Sequence, residues 1–439
     1  MKSMKTAIPQ TNVETEELCK EYSFFTWVAQ KNVHPVPIKS AKGCWYEDFE
    51  GKRYFDLGSQ LVCVNIGYGQ QKVADAIKEQ VDLLPYVKPM DITAIRAAAS
   101  KKIIEAAPEG FGKVMFSLAG ADANEYAIKM AKQLTGKTKI FSQYGSYHGS
   151  TYGACNLCGD PVRGSAIPQI PGFVKFFGPN WKNARKRFKD EEEACEFYLQ
   201  MLEDQILYEG PQHIAAIFHE TISGSSVGVI MPPKNYYKGV RALCDKYNII
   251  MVMDEVMAGF GRTGKLFAFE HYGVMPDLVT FAKGVTSSYA PLGGVLINKK
   301  IVDKFDEIPL NGGLTYNSHS LGCAAAIASL EVYEEQKLIE NSAAMGEILK
   351  KGLNELKEKH PCISEVRGVG LFQAVEMVES MCDVKTGAVL LAKAKEKGYT
   401  TLGRDGFIIF APALVVTEEE INMIIRDFDE IFGEMDQMM

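Results

Sequence analysis

Two ionisable residues end two apolar segments of the sequence, and each segment is long enough to form a buried strand. Residues 249–253 read IIMVM and lead into Asp254, whereas residues 277–282 read DLVTFA and lead into Lys283. Short, continuous apolar runs of this kind are typical of strands that are buried in a parallel sheet. Because open α/β sheets bind ligands at the carboxyl ends of their strands, we expect Asp254 and Lys283 to face one ligand site.

An amine and a carboxylate at one such site suit the chemistry of pyridoxal 5′-phosphate (PLP). The lysine amine can form a Schiff base with the aldehyde of this cofactor. The carboxylate can keep the pyridine nitrogen protonated, so that the ring draws electrons from a bound substrate. Taken alone, however, two such residues are more often a sheet-end ion pair and a solvated lysine.

Two further segments offer the contacts that a flat, phosphorylated cofactor needs. The segment AGADAN at 119–124 joins a predicted strand at 113–117 to a predicted helix. Small residues at such a junction expose backbone N–H groups at the positive end of the helix, which favours a phosphate. Tyr147 and His148 follow another predicted strand, where an aromatic ring can stack on the cofactor. Turns of small residues and Tyr-His pairs in loops are also common without any ligand.

The composition is that of an ordinary globular protein, and it disfavours several function classes. The 439 residues are 46% hydrophobic, which allows a sizeable core, and a net charge of −7 argues against non-specific nucleic-acid binding. No apolar run approaches the ~18 residues of a membrane span. The N-terminal segment lacks the apolar region of a secretion signal. Among ten scattered cysteines only Cys155 and Cys158 form a CxxC pair, so we predict no metal site and a cytoplasmic protein.

Alternating strand and helix signals from residue 113 to 298 predict an α/β fold with a mostly parallel sheet flanked by helices. The pattern changes after residue 297 to a smaller α/β unit, and a hairpin at 43–60 is expected to join it because chain ends often pack together. An amphipathic helix with an aromatic cluster is predicted at 14–31. We therefore predict three segments: an N-terminal helix and hairpin at 1–60 that pack with the small domain, a large cofactor-binding domain at 61–310, and a C-terminal small domain at 311–439.

The glycines at 259, 261 and 264 match the GxGxxG pattern of dinucleotide-binding proteins, but their context does not. They begin five residues after Asp254, too far for the tight first turn, and no suitable βαβ unit follows them. We predict instead an ordered loop beside the cofactor, in which Arg262 makes structural contacts.

Four motifs occur in a characteristic order along the chain. They are AGADANEYAIKMAK from residue 119, YHGST from 147, DEVMAGFGRTGKLFAFEHYGVMPDLVTFAKG from 254 and GGLTYNSHSLGCAAA from 312. Together they resemble the class III aminotransferases, the ω-aminotransferase group of the fold-type I PLP enzymes, over nearly the whole chain. The resemblance implies the fold-type I architecture, PLP as cofactor, and a homodimer with shared active sites.

The same resemblance implies a role for each matching residue. Lys283 matches the Schiff-base lysine, which also moves a proton between two substrate carbons, and Asp254 matches the partner of the pyridine nitrogen. With Tyr147, these are the predicted catalytic residues. The other implied contacts are Val256 and Tyr147 on the two ring faces, Gly120 and Ala121 at the phosphate, Thr315 at the phosphate of the neighbouring subunit, and His148 and Glu220 in orienting roles.

Departures from the family pattern narrow the expected substrate. In the ornithine and 4-aminobutyrate branches a glutamate lies five residues past the strand-end Glu220, but here that position is Ser225, and the arginine that pairs with it is replaced by Ile409. The N-terminal region resembles instead the branch that acts on taurine and related ω-amino acids with 2-oxoglutarate or pyruvate. The predicted pocket residues are Trp27, Leu61, Val62, Tyr147 and Arg404, the last of which either binds the acceptor's carboxylate or is solvated.

The implied reaction is a ping-pong transfer of an amino group. An ω-amino acid or amine donates the group to the cofactor, and a 2-oxo acid then accepts it. The alternative is another PLP reaction on the same scaffold, catalysed by an aminomutase or a racemase.

Overall fold

A computed structural model describes residues 7–163, 169–180 and 186–439 of the chain. In these residues the strands form three sheets. In chain order the strands are β1 (Ile38–Lys42), β2 (Trp45–Asp48), β3 (Arg53–Asp56), β4 (Phe111–Ser117), β5 (Lys139–Gln143), β6 (Phe173–Phe176), β7 (Ile214–Glu220), β8 (Ile250–Asp254), β9 (Leu278–Phe281), β10 (Gly293–Asn298), β11 (Ile363–Val369), β12 (Phe372–Met377), β13 (Tyr399–Thr400), β14 (Gly403–Arg404) and β15 (Phe407–Phe410).

The final helix begins with a capping box, because Thr417 accepts from the backbone N–H of Glu420 while the Glu420 carboxylate accepts from that of Thr417. The helices are α1 (Asn12–Tyr22), α2 (Gln71–Leu83), α3 (Ala94–Ala106), α4 (Gly120–Thr135), α5 (Tyr152–Leu157), α6 (Glu191–Glu209), α7 (Tyr236–Tyr247), α8 (Ser320–Glu335), α9 (Leu338–Lys359), α10 (Val384–Glu396) and α11 (Glu418–Asp436), with single helical turns at Ser59–Val62 and Lys299–Val302.

The largest sheet has seven strands in the order β4-β10-β9-β8-β7-β5-β6. The strands from β9 to β6 are all parallel to their neighbours, whereas β10 is antiparallel to both β4 and β9. The prediction of a mostly parallel sheet is therefore confirmed. Its register aligns Glu220 with Asp254 and Asp254 with Thr280, so β7, β8 and β9 end at the same edge of the sheet.

The two smaller sheets contain the ends of the chain. The predicted hairpin is present as β2 and β3, and β13 adds to it in parallel, with Tyr399 opposite Phe55. The other small sheet, β11-β12-β15-β14, is antiparallel. Residues before 60 and after 360 thus share one sheet. The segment boundaries at 60/61 and 310/311 stay predictions.

The predicted helix at 14–31 is wrong beyond Tyr22, where α1 ends. Ser23 is extended, and Trp27 has φ 68°, a left-handed conformation that no right-handed helix contains. The Gln30 side chain holds the segment in this form, since its oxygen accepts from the Phe25 N–H and its amide donates to the Phe25 carbonyl. Aromatic spacing alone did not distinguish a helix from this loop.

Arg262 is fully buried between regions that are distant in sequence. Its guanidinium donates to the carbonyls of Leu371 and Pro412, to Asn65 Oδ1 at 3.0 Å and to Ser59 Oγ at 3.3 Å. The predicted structural role of Arg262 is confirmed by these bonds, which connect the large sheet to both ends of the chain. No helix in the described residues is long and apolar enough to cross a membrane.

Candidate active site

A cavity of about 310 Å³ opens at the edge where β7, β8 and β9 end. Eight of the residues predicted from the sequence line it, and the others that line it are their neighbours. The lining residues are Gly120, Ala121, Tyr147, His148, Gly149, Ser150, Glu220, Ile222, Asp254, Val256, Met257 and Lys283.

Lys283 follows β9 directly and begins a short turn, Lys283–Val285. Its backbone has φ 42°, a left-handed conformation that costs a non-glycine residue about 1–3 kcal/mol and often occurs at functional sites. Protein surrounds the amine, although the side chain opens to the cavity. Burial lowers the pKa of Lys283 below the usual lysine value, and the charges of Asp254 and Glu220 oppose that shift. A lowered pKa makes this amine easier to deprotonate than that of a free lysine.

Asp254 is buried at the end of β8, and hydrogen bonds fix its carboxylate. His148 Nδ1 lies 2.8 Å from Asp254 Oδ2, and Asn124 Nδ2 donates to the same oxygen at 2.8 Å. The N–H of Val256 donates to Oδ1 at 3.0 Å. Asn124 also donates to the His148 carbonyl. These bonds hold the carboxylate at the cavity wall without any arginine or lysine contact closer than 4 Å among the described residues.

The start of α4 contains Gly120 and Ala121, the residues predicted to form a phosphate cradle. The residue before it, Ala119, offers no side-chain cap, so the first N–H groups of the helix are not satisfied by a side chain at that position. A Cβ at Gly120 would lie 2.7 and 2.8 Å from the two methyl carbons of Val256. Only glycine therefore fits between this turn and Val256.

Tyr147 stands at the mouth of the cavity in an aromatic and cationic cluster. Its hydroxyl lies 3.0 Å from Ser150 Oγ, and its ring is 6.0 Å from that of Trp27 in an edge-to-face arrangement. The guanidinium of Arg163 lies over both rings, 4.8 Å from the Tyr147 centroid and 5.0 Å from that of Trp27. Trp27, predicted to reach the pocket, is thus joined to it through Tyr147, whereas Arg163 was not predicted.

Glu220 lies at the end of β7, and its buried carboxyl group has a raised pKa. Burial, followed by the charge of Asp254, raises its pKa well above the usual glutamate value. Its Oε2 has no hydrogen-bond partner among the described residues. The backbone is held by the Tyr237 hydroxyl, which donates to the carbonyls of Glu220 and Thr221 at 2.9 Å. A buried carboxyl with an unused oxygen in the cavity suits a polar ligand group.

Five of the predicted residues do not line this cavity, namely Trp27, described above, and four others. Thr315 is exposed, and its carbonyl accepts from the Tyr86 hydroxyl at 2.8 Å. Leu61 is 61% exposed, whereas Val62 is buried in an apolar cluster. The Arg404 guanidinium lies 3.1 Å from the buried carboxylate of Asp160. Their predicted roles stay predictions.

The described residues fit PLP. The cavity presents one buried amine, one oriented carboxylate, an aromatic ring and a helix start that only a glycine allows. PLP needs these four elements for its aldehyde, pyridine nitrogen, ring face and phosphate. The fold and the site together define an enzyme of the fold-type I PLP class.

Comparisons with known proteins agree with that class. The family model described as Aminotransferase class-III matches residues 27–432. Taurine–pyruvate aminotransferase of Bilophila wadsworthia is 33% identical over 451 residues, covering 97% of this chain and 98% of that protein. Hypotaurine/taurine–pyruvate aminotransferase of Paracoccus denitrificans is 34% identical, covering 91% of this chain and 92% of that protein.

A solved structure is also similar over nearly its full length. Taurine:2-oxoglutarate aminotransferase from Bifidobacterium kashiwanohense, in complex with PLP and glutamate, has a TM-score of 0.94 at 42% identity and covers 99% of both chains. The chain belongs to the class III aminotransferase family, whose members depend on PLP. The family, fold class, enzyme class and cofactor predicted from the sequence are confirmed.

Proposed function

We propose that this protein transfers an amino group from a short ω-amino acid, such as taurine or β-alanine, to pyruvate or 2-oxoglutarate. The observation that carries the proposal is the cavity in which Lys283, Asp254 and Tyr147 meet. The substrates named for the similar proteins support the donor and the two acceptors.

The proposed mechanism gives each residue one task. When bound, PLP supplies an aldehyde that takes up the amine and a ring that withdraws electrons from it. Lys283 would tether the cofactor and, as a neutral amine, accept and return the proton of the donor's reacting carbon. Asp254, oriented by His148, would pair with the pyridine nitrogen. Tyr147 and Val256 would hold the ring, and the start of α4 would hold the phosphate at Gly120 and Ala121.

A homodimer in the cytoplasm is part of the proposal. Large apolar side chains near the end of α2 and the start of α3 are strongly exposed, with Leu83 77%, Met90 79% and Ile92 89% accessible. Such a patch suggests a subunit interface, across which exposed Thr315 could reach a second active site. Light scattering should give the mass of two chains, and an active monomer would contradict this.

All ten cysteines are free, which supports a reducing compartment.

A half-reaction tests the proposed chemistry. The yellow holoenzyme is mixed with taurine or β-alanine and no oxo acid, and the absorbance of the cofactor is followed. We expect one equivalent of aminated cofactor per site, and reversal when pyruvate or 2-oxoglutarate is added. Net isomerisation of a single substrate without an acceptor would instead indicate an aminomutase or a racemase.

The matched control for this test is Lys283→Ala. We expect its rate to fall by about a thousandfold or more, because both the tether and the proton carrier are lost. After borohydride reduction, mass spectrometry should find the cofactor attached to the wild type and not to the variant. Covalent attachment in the variant would contradict the role of Lys283.

A further inference from the structure

Two arginines share one buried carboxylate beside the aromatic mouth of the cavity. Asp160 Oδ2 lies 3.1 Å from Arg404 Nη1 and 4.0 Å from Arg163 Nε, and the Asp160 side chain is fully buried. Arg404 also forms an ion pair with a second carboxylate, because its Nε lies 3.1 Å from Asp405 Oδ2. The charge of Arg404 is therefore opposed twice at close range, whereas that of Arg163 is opposed once and at a longer distance.

The guanidinium of Arg163 is held in place chiefly by neutral groups. Its Nη1 donates to Ser225 Oγ at 3.0 Å and to Ser226 Oγ at 3.4 Å, and its plane lies over Tyr147 and Trp27. Rings and hydroxyls fix the position of a guanidinium without cancelling its charge. The side chain is only 21% exposed, so solvent screens this charge weakly.

Arg163 lies beside the wall of the cavity that contains the reactive amine. Its guanidinium is 4.8 Å from the centroid of the Tyr147 ring, and Tyr147 and Lys283 line the same cavity. In agreement with this placement, the charge of Arg163 adds to burial in lowering the pKa of Lys283. A substrate whose amine reaches Lys283 could therefore place a second group near Arg163. An anion is the group that a fixed, partly desolvated guanidinium binds best.

Ser225 helps to keep this charge available. Its hydroxyl accepts the hydrogen bond from Arg163 Nη1 and adds no charge of its own. A glutamate at position 225 would instead place a carboxylate within reach of Arg163 and oppose its charge.

We infer that Arg163 binds the sulfonate or carboxylate of the amine donor and so selects donors with an acid group at the end opposite the amine. The inference rests on the proposed aminotransferase function and names the residue that gives it substrate specificity. It assigns to Arg163 the anion-binding task that the sequence suggested for Arg404.

Donor half-reactions test this role in the holoenzyme. Wild type, Arg163→Met and Arg163→Lys are compared with taurine, β-alanine and the uncharged-tail donor n-propylamine. For Arg163→Met we expect the half-saturating concentration of both acidic donors to rise by about 10- to 100-fold, the loss of one charge-assisted contact. Arg163→Lys should recover part of this. The half-saturating concentration of n-propylamine should change far less than those of the acidic donors, so the readout is the ratio of acidic to uncharged donor within each protein. Arg426→Met, at an exposed ion pair, is the control and should match the wild type.

Two further measurements keep the test independent of turnover and of folding. Ethanesulfonate and propanoate carry the acid group without an amine, so calorimetric titration should detect their binding to wild type and not to Arg163→Met. Ser225→Glu leaves the arginine in place and should weaken both acidic donors while sparing n-propylamine.

The outcomes separate the two proposals. If the wild type does not react with taurine or β-alanine, the proposed function fails, and the role of Arg163 fails with it. If the wild type reacts and Arg163→Met keeps the same half-saturating concentrations, only the role of Arg163 is overturned. A selective loss in Arg404→Met instead would assign the anion to Arg404 and would also overturn it.

Discussion

Gly120 shows how one small side chain sets the shape of the cofactor site. The start of α4 approaches Val256 so closely that even a methyl group would overlap it. Both residues line the cavity, on the phosphate side and the ring side of the predicted cofactor. The van der Waals contact between Gly120 and Val256 therefore sets the distance between the phosphate side and the ring side of the binding site.

Gly120→Ala should weaken cofactor binding without unfolding the protein. The added methyl group would displace Val256 or the helix start, and we expect the Kd for PLP to rise about tenfold, as for the loss of one good contact to a charged group. Fluorescence titration of the apoenzyme with PLP measures this. Gly433→Ala, within α11, is the matched control, because its Cβ would lie 3.7 Å from the His360 ring, an ordinary van der Waals distance. Equal affinities in both variants would count against the cradle.

The sequence identified the site residues at strand ends and in the family motifs, and it missed those in the loop between α5 and β6. Asp254 and Lys283 follow uninterrupted apolar runs, so their place at the sheet edge could be predicted from the pattern. Arg163 and Asp160 lie between α5 and β6, where neither periodicity nor a motif marks them. Their positions depend on contacts with Ser225 and Arg404, which only the folded chain brings near.

Strand β7 contains a buried histidine, His219, which is surrounded mainly by aromatic rings. His219 is buried, with ring centroids 5.2 Å from Tyr237, 5.3 Å from Phe176 and 5.7 Å from Tyr236. Among the described residues, its side chain makes one hydrogen bond, of 3.2 Å, with Gln143. Burial lowers its pKa to about 3, from an ordinary value of 6.5.

This histidine should make the folded protein sensitive to mild acid. The unfolded chain binds a proton below about pH 6.5 and the folded chain does not, so stability is present above that pH and is lost as the pH falls. Between pH 7 and 5 the loss from this group is about 2 kcal/mol. His219→Phe should show a correspondingly smaller loss in denaturant unfolding of the holoenzyme. An unchanged difference between the two pH values would contradict the assignment.

The apolar pattern predicted where elements lie better than how they end or pair. The helix predicted to follow the small residues at 119–124 is present as α4, Gly120–Thr135. At 14–31 the aromatic residues mimic a helical stripe, yet a side-chain bond from Gln30 fixes a loop. The antiparallel direction of β10 could not be predicted, since a strand buried on both faces has the same composition in either direction.

Arg262 makes the ends of the chain and the large sheet depend on one another. Its hydrogen bonds reach Ser59 and Asn65 on one side and the carbonyls of Leu371 and Pro412 on the other. The charge is buried and its partners are neutral, so its removal leaves several acceptors without donors. A local change at this residue should therefore affect the whole molecule.

Arg262→Met should lower the free energy of unfolding by about 3–5 kcal/mol. The methionine replaces the aliphatic stem, but at least two buried acceptors lose their donor at about 1–3 kcal/mol each. In calorimetry of the holoenzyme, this loss of stability should appear as a lower temperature of the main unfolding transition. The control Arg426→Met, whose side chain is 70% exposed, should change stability by no more than about 0.5 kcal/mol. A variant as stable as the control would show that these bonds do not couple the regions.

The pairing of β3 with β13 has a consequence for the nascent chain during translation. Phe55 and Asp56 emerge early, but their strand partners, Tyr399 and Thr400, are among the last residues to be made. At ~5–20 residues per second the hairpin waits roughly tens of seconds with one edge open. An unpaired strand edge is a template for pairing with other chains. Nascent copies on neighbouring ribosomes therefore carry an open strand edge for most of translation, and a low rate of initiation, which keeps nascent chains apart, should favour a good yield of the enzyme.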